Sequence, residues 1–274
     1  MLTLNTSLAQ SVQLSIFEPL WDTRCERPGK SFLSKDGSIL LLEADGRKLT
    51  SIVSNSIDAI VTDHPWLNPE SNEGGNRQFV DYHCFNYTLA DFSEKYRVLK
   101  PGRFLCEFLP EESASNWEYL YRIKQLATEA GFEYYAKVPW KKGTFVSNTG
   151  RKAHQVEDVM FFTKGKPISW RRDSSYSAGV YMSGIRMLPA QFDAQPTPVT
   201  QRVQKSEKPV KLLEELLEYV TPEGGVILDQ FAGSASTARA CLAVKRDCIC
   251  IELDRDRVEG AAKRLELMQF HNHK

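Results

Sequence analysis

The chain has 274 residues, is 42% hydrophobic, and carries no net charge because 35 Lys and Arg residues balance 35 Asp and Glu residues. This composition suits a soluble α/β protein with a sizeable core, built as one large domain or two small ones. No apolar run approaches 18 residues and Met1 does not open a signal peptide, so we expect no membrane span and an intracellular protein.

Seven short apolar runs predict strands, and they follow an N-terminal arm of little periodicity at residues 1–35. Most runs are nearly continuous in apolar character, which is typical of strands covered on both faces. The predicted strands are Ile39–Leu42, Ile57–Thr62, Phe104–Leu109, Phe132–Val138, Asp158–Thr163, Val226–Asp229 and Cys248–Glu252.

Helical patterns lie between several of these strands. The first precedes the Lys100-Pro101-Gly102 stop, the second follows Asn116 as a cap, and the third begins at Pro209. A strand and helix alternation of this kind predicts an α/β fold with a doubly wound, Rossmann-like sheet of seven strands. We assign residues 36–274 to that one domain.

Residues 165–205 interrupt the alternation with a segment rich in Ser, Gln, Pro and Gly. A loop of that length inside a compact domain is usually functional or disordered. Aromatic residues lie among arginines here, which favours a binding surface over a linker. These residues are Trp170, Tyr176, Tyr181, Arg171, Arg172 and Arg186.

Charge is unevenly distributed around this segment. Between Lys137 and Arg172, nine Lys and Arg residues face only two acids, so this window carries +7 and the rest of the chain −7. A surface that follows nucleic-acid phosphates needs such a concentration of positive charge. An equally weighted interpretation of this window is a solvated, lysine-rich edge that binds no phosphate. The candidate nucleic-acid contacts are Lys141, Lys142, Arg151, Lys152, Arg171 and Arg172.

The six cysteines show no CxxC spacing, and we expect no metal site. Cys248 and Cys250 alternate onto one face of a predicted strand, where burial as small hydrophobic side chains is favoured over metal ligation.

The strand at 226–229 leads into a loop of small residues, and Glu252 ends the following strand about twenty residues later. In α/β sheets, ligands bind outside the carboxyl ends of strands. Gly233 lets the backbone approach a ligand, and an acid at Glu252 accepts hydrogen bonds from both hydroxyls of a ribose. Taken singly, each residue has a purely structural interpretation: Asp229 as a helix cap, Gly233 as an ordinary turn and Glu252 as a surface acid. Their combination favours a nucleotide-like ligand.

These segments and the loop Asp63-His64-Pro65-Trp66 resemble the β group of amino-methyltransferases, which methylate the exocyclic nitrogen of adenine or cytosine. The 63–66 loop is similar to the group's D-P-P-Y and D-P-P-W motifs, and 228–234 is similar to L-D-P-F-x-G-x-G. The runs 206–209 and 251–254 resemble T-x-K-P and I-E-x-D. Because the catalytic motif comes before the cofactor motif, the resemblance implies a circularly permuted methyltransferase sheet.

The resemblance implies that S-adenosylmethionine is the cofactor. Lys208 and Pro209 would form a wall near its methionine end, Phe231 and Gly233 would line its methionine and ribose portions, and Glu252 would hold the ribose. The expected cofactor contacts are Asp45, Asp63, Lys208, Pro209, Asp229, Phe231, Ala232, Gly233, Ser234, Ala235, Glu252 and Leu253.

The catalytic residues implied by the resemblance are Asp63, His64, Pro65 and Trp66. Methyl transfer to an exocyclic amine needs acceptors for its two protons, and the Asp63 carboxylate and the His64 backbone carbonyl would supply them. Trp66 would stack on the base, and Pro65 keeps residue 64 extended. The His64 side chain either acts directly near the amine or the phosphate, or bonds to a neighbouring loop.

Three residues of the two main loops depart from the group's pattern: His64 and Gln230 replace prolines, and Ala235 replaces a glycine. If position 235 requires a positive φ, the alanine is expected to weaken cofactor binding.

The resemblance therefore implies a cytoplasmic, bacterial, archaeal or phage-encoded DNA methyltransferase acting on a flipped-out base, with the acid at position 63 favouring adenine N6. Residues 165–205 and 67–87 are candidates for target recognition. Cytosine N4, single-stranded DNA and RNA adenine are alternative substrates. A non-catalytic, methyltransferase-like nucleic-acid-binding or regulatory protein is the competing class. Group members are often dimeric, so a homodimer is a further expectation.

Overall fold

Nine strands and five helices are present in the part of the chain that this computed structural model describes. That part comprises residues 17, 20, 29–66, 84–146, 152–168, 188–198, 200, 202 and 207–270, with only the backbone described at 144–146, 152–155 and 270. The strands are β1 (Ser31–Leu33), β2 (Ile39–Glu43), β3 (Ile57–Thr62), β4 (Leu99–Pro110), β5 (Glu133–Val146), β6 (Lys152–Thr163), β7 (Val226–Asp229), β8 (Asp247–Glu252) and β9 (Met268–Phe270). The helices are α1 (Leu89–Val98), α2 (Trp117–Glu129), α3 (Val210–Val220), α4 (Ser236–Ala243) and α5 (Arg255–Arg264).

The strands form one sheet in the order β5-β6-β4-β3-β7-β8-β2-β1-β9. The five consecutive strands from β4 to β2 pair in parallel. Antiparallel pairs extend the sheet at both edges, with β6 and β5 on one side and β1 and β9 on the other. The carboxyl ends of the five parallel strands therefore lie along a single edge of the sheet.

Helices cover both faces of this sheet. Alternate side chains of β3 enter different cores: Ala59 and Val61 pack in the core beneath α3, α4 and α5, and Ile60 packs in the core beneath α1 and α2. All six residues of β3 and all four of β7 are buried, as the continuous apolar runs predict. The predicted α/β, doubly wound sheet is confirmed, and each predicted strand is present.

Two strands of the sheet were not predicted. β1 lies inside the predicted 1–35 arm, and β9 follows α5; each has three residues, too few for a period-two pattern to be distinguished. The other differences are lengths: β4, β5 and β6 have 12, 14 and 12 residues, because polar residues continue these strands beyond their apolar centres. Cys248 and Cys250 are buried, as predicted.

The predicted 165–205 insertion is described only in part. Residues 169–187 lie outside the described residues, and with them Trp170, Tyr176 and Tyr181. The described stretch 188–198 packs on β5, where the buried Phe192 bridges to Trp140 and the indole Nε1 of Trp140 donates to the Ala194 carbonyl at 2.7 Å. Within the described ranges, every helix is too short or too polar to cross a bilayer.

Candidate active site

The candidate site lies at the boundary between β3 and β7. These neighbours pair in parallel through Ala59 with Ile227 and Ile60 with Leu228. From β3 the chain continues through α1 to β4 on one side, whereas from β7 it continues through α4 to β8 on the other. A reversal of this kind opens a crevice at the carboxyl ends of the strands, where α/β proteins bind ligands. The loops 63–66 and 230–235 are the two walls of this crevice.

The first wall begins at Asp229, the last residue of β7. Its buried carboxylate accepts a hydrogen bond from the backbone N–H of Phe231 at 3.2 Å. Burial raises the pKa of Asp229 to about 7, although a hydrogen bond with Thr237 opposes the shift. The loop is tied to β8 by the Ala232 N–H, which donates to the Ile251 carbonyl at 2.9 Å.

Ala235 lies in the left-handed region with φ 57° and ψ 39°, immediately before α4. Its side chain is buried, and its N–H donates to the Ala232 carbonyl at 2.7 Å. Position 235 therefore has the positive φ for which the alanine was expected to be unfavourable. A left-handed non-glycine residue costs about 1–2 kcal/mol, so this loop keeps a strained conformation in the folded chain.

Glu252 lies across the loop from Gly233. One carboxylate oxygen accepts from the Gly233 N–H at 2.8 Å and the other from the Asp254 N–H at 2.9 Å. These two backbone donors fix the orientation of a carboxylate that is largely buried. Leu253, directly after it, is 66% exposed and offers an apolar surface at the same edge.

The loop after β2 closes against the same wall. The buried side chain of Gln230 donates to the Gly46 carbonyl at 2.6 Å. A side chain at Gly46 would place its Cβ 1.9 Å from the Gln230 carbonyl oxygen, so glycine is required for this approach. Asp45 precedes it, with its carboxylate accepting from the Arg47 N–H at 3.0 Å. The predicted cofactor residues from β2, β3, β7 and β8 thus meet at one edge.

The second wall contains Asp63, whose side chain is 26% exposed. The Lys208 ammonium donates to Asp63 Oδ2 at 2.5 Å and lies 3.2 Å from Glu157 Oε2. Glu157 is also paired with Lys142. Burial opposes the charge of Lys208, but Asp63 and Glu157 outweigh it and raise the pKa of Lys208 above its ordinary value. Two carboxylates and two ammonium groups form a charge-balanced cluster at this wall.

The cluster corrects one predicted phosphate contact. Lys142 is only 14% exposed and its ammonium is paired with Glu157, so it is part of the site wall. Sequence spacing alone did not reveal this partner, because Glu157 comes from the neighbouring strand β6. Lys141 is exposed, as a phosphate contact requires. For Lys152 only the backbone is described, and Arg151, Arg171 and Arg172 lie outside the described residues.

Backbone hydrogen bonds shape the remainder of the 63–66 loop. The Trp66 N–H donates to the His64 carbonyl at 2.8 Å, which makes a tight turn around Pro65. The Pro65 carbonyl accepts from the Phe85 N–H at 3.2 Å. Phe85 in turn packs against Phe231, with ring centroids 5.4 Å apart, and so connects the two walls of the crevice.

The His64 side chain is buried, with the residue 1% exposed. Its Nε2 is hydrogen-bonded to the Tyr119 hydroxyl, and its Nδ1 lies 3.6 Å from Glu107 Oε2. Of the two interpretations of the His64 side chain, this arrangement corresponds to a bond with neighbouring residues and not to direct action on a base. Glu107 and Tyr119 were not identified from the sequence, yet an acid inside the apolar run Phe104–Leu109 was an available signal, because a buried charge needs a partner.

Residues 207–209 are held beside the 230–235 loop. The Arg264 guanidinium donates to the buried Glu207 carboxylate at 2.8 Å and to the Ser234 carbonyl at 3.3 Å. Pro209 then caps α3. Lys208 is thereby brought to Asp63, 145 positions earlier in the chain.

The fold and this crevice define a Rossmann-like methyltransferase. The DNA methylase family of N6- and N4-methyltransferases matches residues 57–264, which include both walls of the site. The chain belongs to this family, whose methyl donor is S-adenosylmethionine.

Individual relatives agree with that assignment. The type II methyltransferase M.HpaI of Haemophilus parainfluenzae is 26% identical over 235 residues, which cover 80% of this chain and 71% of the relative. Among solved structures, the M1.HpyAVI–SAM complex matches with a TM-score of 0.59 at 19% identity, covering 83% of this chain and 98% of that one. The cytosine-N4-specific PvuII DNA methyltransferase matches with a TM-score of 0.64 at 18% identity, covering 87% and 90%. The two structures establish the shared fold.

Proposed function

We propose that this chain transfers a methyl group from S-adenosylmethionine to the exocyclic amine of a flipped-out DNA base, with adenine N6 as the preferred target. The observation that carries the proposal is the juxtaposition of the Asp63 carboxylate with the loop of Gly233 and Glu252 across the β3–β7 crevice. Type II methyltransferase activity in the name of a relative supports DNA as the substrate.

The donor set of the crevice fits this cofactor. Each oxygen of Glu252 accepts one backbone hydrogen bond and retains a lone pair for a ribose hydroxyl. Leu253 provides an apolar surface for the adenine, and Phe231 and Gly233 line the wall between the two. Lys208 and Pro209 would border the methionine end. When bound, the cofactor supplies an electrophilic methyl group on a sulfonium.

Asp63 and the His64 carbonyl would accept the two protons of the target amine. Lys208 engages Asp63 Oδ2, and the other oxygen, Oδ1, is the one we assign to the amine. The His64 carbonyl already accepts from Trp66, but a carbonyl oxygen has a second lone pair. Drawing both amine protons to acceptors frees the nitrogen lone pair from ring conjugation. Trp66 is half-buried at the loop end, where it would stack on the base.

An acid at position 63 supports adenine, since the cytosine N4 enzymes of this group more often have serine there. The test is long-read detection of modified bases in DNA from cells that express the protein. We expect N6-methyladenine in a defined sequence context, and no modification in cells that express Asp63→Ala. N4-methylcytosine instead would refute the base assignment, and unmodified DNA from cells containing folded protein would refute the activity.

The Asp63→Ala substitution also separates chemistry from cofactor binding. We expect methyl transfer in vitro to fall about 10²–10³-fold or more, the loss typical of removing one preorganised polar group at the reacting centre. Calorimetric affinity for S-adenosylmethionine should change far less, because Glu252 and the 229–235 loop are intact. Asp256→Ala, at an exposed acid on α5, is the matched control. Undiminished transfer by Asp63→Ala would mean that the active site lies elsewhere.

A further inference from the structure

A buried ion pair lies directly behind the 63–66 loop. Glu107 on β4 and Lys95 on α1 are paired, and both side chains are fully buried. The Tyr87 hydroxyl accepts from the Lys95 ammonium at 2.6 Å and donates to Glu107 at 3.2 Å. Removing two charges from water is costly, and apolar residues of similar size would usually fill such a space at lower cost. Stability alone therefore does not account for this cluster.

The His64 ring completes the cluster from the loop side. Its Nδ1 faces Glu107 at 3.6 Å, its Nε2 meets the Tyr119 hydroxyl, and its face lies on the Tyr87 ring with centroids 4.1 Å apart. These contacts come from β4, from α2 and from the segment before α1. Three directions of contact fix both the position and the rotation of the imidazole.

The chemistry of the partners assigns the tautomer of His64. Burial lowers the pKa of His64, and Lys95 and Glu107 already balance each other's charge; both favour the neutral ring. Nδ1 has no hydrogen-bond partner at 3.6 Å from Glu107, but a carboxylate attracts a proton and repels a lone pair, which places the proton on Nδ1. Nε2 is then the acceptor for the Tyr119 O–H. Asp63, the preceding residue, also acts on the ring and opposes the lowering of its pKa.

We propose that His64 is a positioning residue, whose side chain, held between Glu107 and Tyr119, sets the direction of its own backbone carbonyl toward the target amine. Proline at this position would fix φ through its ring. Histidine leaves φ free, so anchorage of the side chain replaces that restriction. This proposal rests on the proposed function, because the direction of the carbonyl matters only if it accepts from the amine.

Tyr119→Phe tests the anchorage with the loss of a single hydroxyl. We expect the rate of methyl transfer at saturating cofactor and DNA to fall about five- to tenfold, a coupling typical of contacting residues. Affinities for S-adenosylmethionine and DNA should remain within about twofold, because Tyr119 is not among the predicted contacts of either ligand. Tyr121→Phe, an exposed tyrosine on the same helix, should leave the rate unchanged.

The same substitution is then made in a His64→Pro background, which has the residue of the group's motif and no imidazole. There Tyr119→Phe should alter the rate less than about twofold. An equal loss in both backgrounds, or a rate that changes only in step with thermal stability, would overturn the positioning role. If His64→Pro does not fold, His64→Leu serves as the background.

A spectroscopic measurement separates failure of this inference from failure of the proposed function. In ¹⁵N-histidine NMR of the wild-type protein, the signal that His64→Pro removes should be that of a neutral ring protonated at Nδ1. A ring protonated at Nε2, or at both nitrogens near neutral pH, would overturn the anchorage even in an active enzyme. Wild-type protein that shows the expected ring but transfers no methyl group would refute the proposed function, and the positioning role with it.

Discussion

The three residues that depart from the motifs of the two main loops each have a structural accommodation of their own. His64 is held by Glu107 and Tyr119, Gln230 donates to the Gly46 carbonyl, and Ala235 adopts the backbone conformation that a glycine would have. Each accommodation leaves the shape of its loop intact despite the changed side chain. At this scale the observations favour an enzyme over a non-catalytic relative.

Ala235→Gly is expected to stabilise the protein. A left-handed alanine costs about 1–2 kcal/mol, and glycine removes that cost. Glycine also loses more conformational freedom on folding, which offsets part of the gain, so the net stabilisation should be at most about 1 kcal/mol. Urea unfolding measures it. Because glycine adopts the same positive φ and only a buried methyl group is lost, affinity for S-adenosylmethionine should change less than about twofold.

Lys245→Gly is the matched control, since Lys245 also has a positive φ, of 56°, but is exposed after α4. It should give a similar change in the free energy of unfolding and no change in affinity. A tenfold tighter cofactor affinity for Ala235→Gly alone would show that the loop forms only on binding and that the alanine opposes it.

At the scale of elements, apolar periodicity was sufficient for most of the fold. The bounds of β3 and β7 agree with their apolar runs, because strands covered on both faces are nearly continuous in apolar character. The helix caps at Asn116 and Pro209 were also predictable from local sequence. The three-residue β1 was not, since its stability comes from pairing with β2 and β9 and not from its own pattern.

The site was predictable where it follows a strand and not where it depends on distant pairing. Asp63 and Glu252 come directly after or at the end of strands, and their motifs are local. The ion pairs of Lys142 and Lys95 depend on which strand or helix lies beside them, which sequence spacing does not specify.

The turn from β7 into α4 predicts a pH dependence through Asp229. With a pKa of about 7 in the folded protein, Asp229 keeps a proton that the unfolded chain has released above about pH 4. Stability should therefore fall as pH rises through that window and become level above pH 7. The Asp229→Asn variant has no such loss of stability. The difference between its free energy of unfolding and that of wild type should therefore increase by about 1–3 kcal/mol between pH 5 and pH 7.5.

Urea unfolding at both pH values measures that difference, and Asp193→Asn, at an exposed acid, is the control. A relative stability that is the same at both pH values would contradict a raised pKa for Asp229.

Over the whole molecule, part of the positive charge in the 137–172 window is used internally. Lys137 pairs with Asp158 at 3.0 Å, and Lys142 pairs with Glu157. Lys164 donates to the carbonyls at the end of α1 and to Asn55. The count of charges in the sequence therefore overstates the positive surface. Among the lysines of the window whose side chains are described, Lys137, Lys141 and Lys166 are exposed, and Lys137 is the one of these paired with an acid, Asp158.

This distribution makes the salt dependence of DNA binding a test of individual lysines. If Lys141 contacts a phosphate, Lys141→Gln should weaken binding of duplex DNA and reduce the slope of log affinity against log salt by about 0.9, because one fewer counterion is released. Fluorescence anisotropy at several salt concentrations measures the slope. Lys211→Gln removes an equal charge from an 83% exposed lysine on α3, outside the window, and should leave it unchanged. Equal slopes for wild type and Lys141→Gln would exclude Lys141 from the interface, whereas an equal reduction in both variants would indicate a response to net charge and no defined phosphate-binding surface.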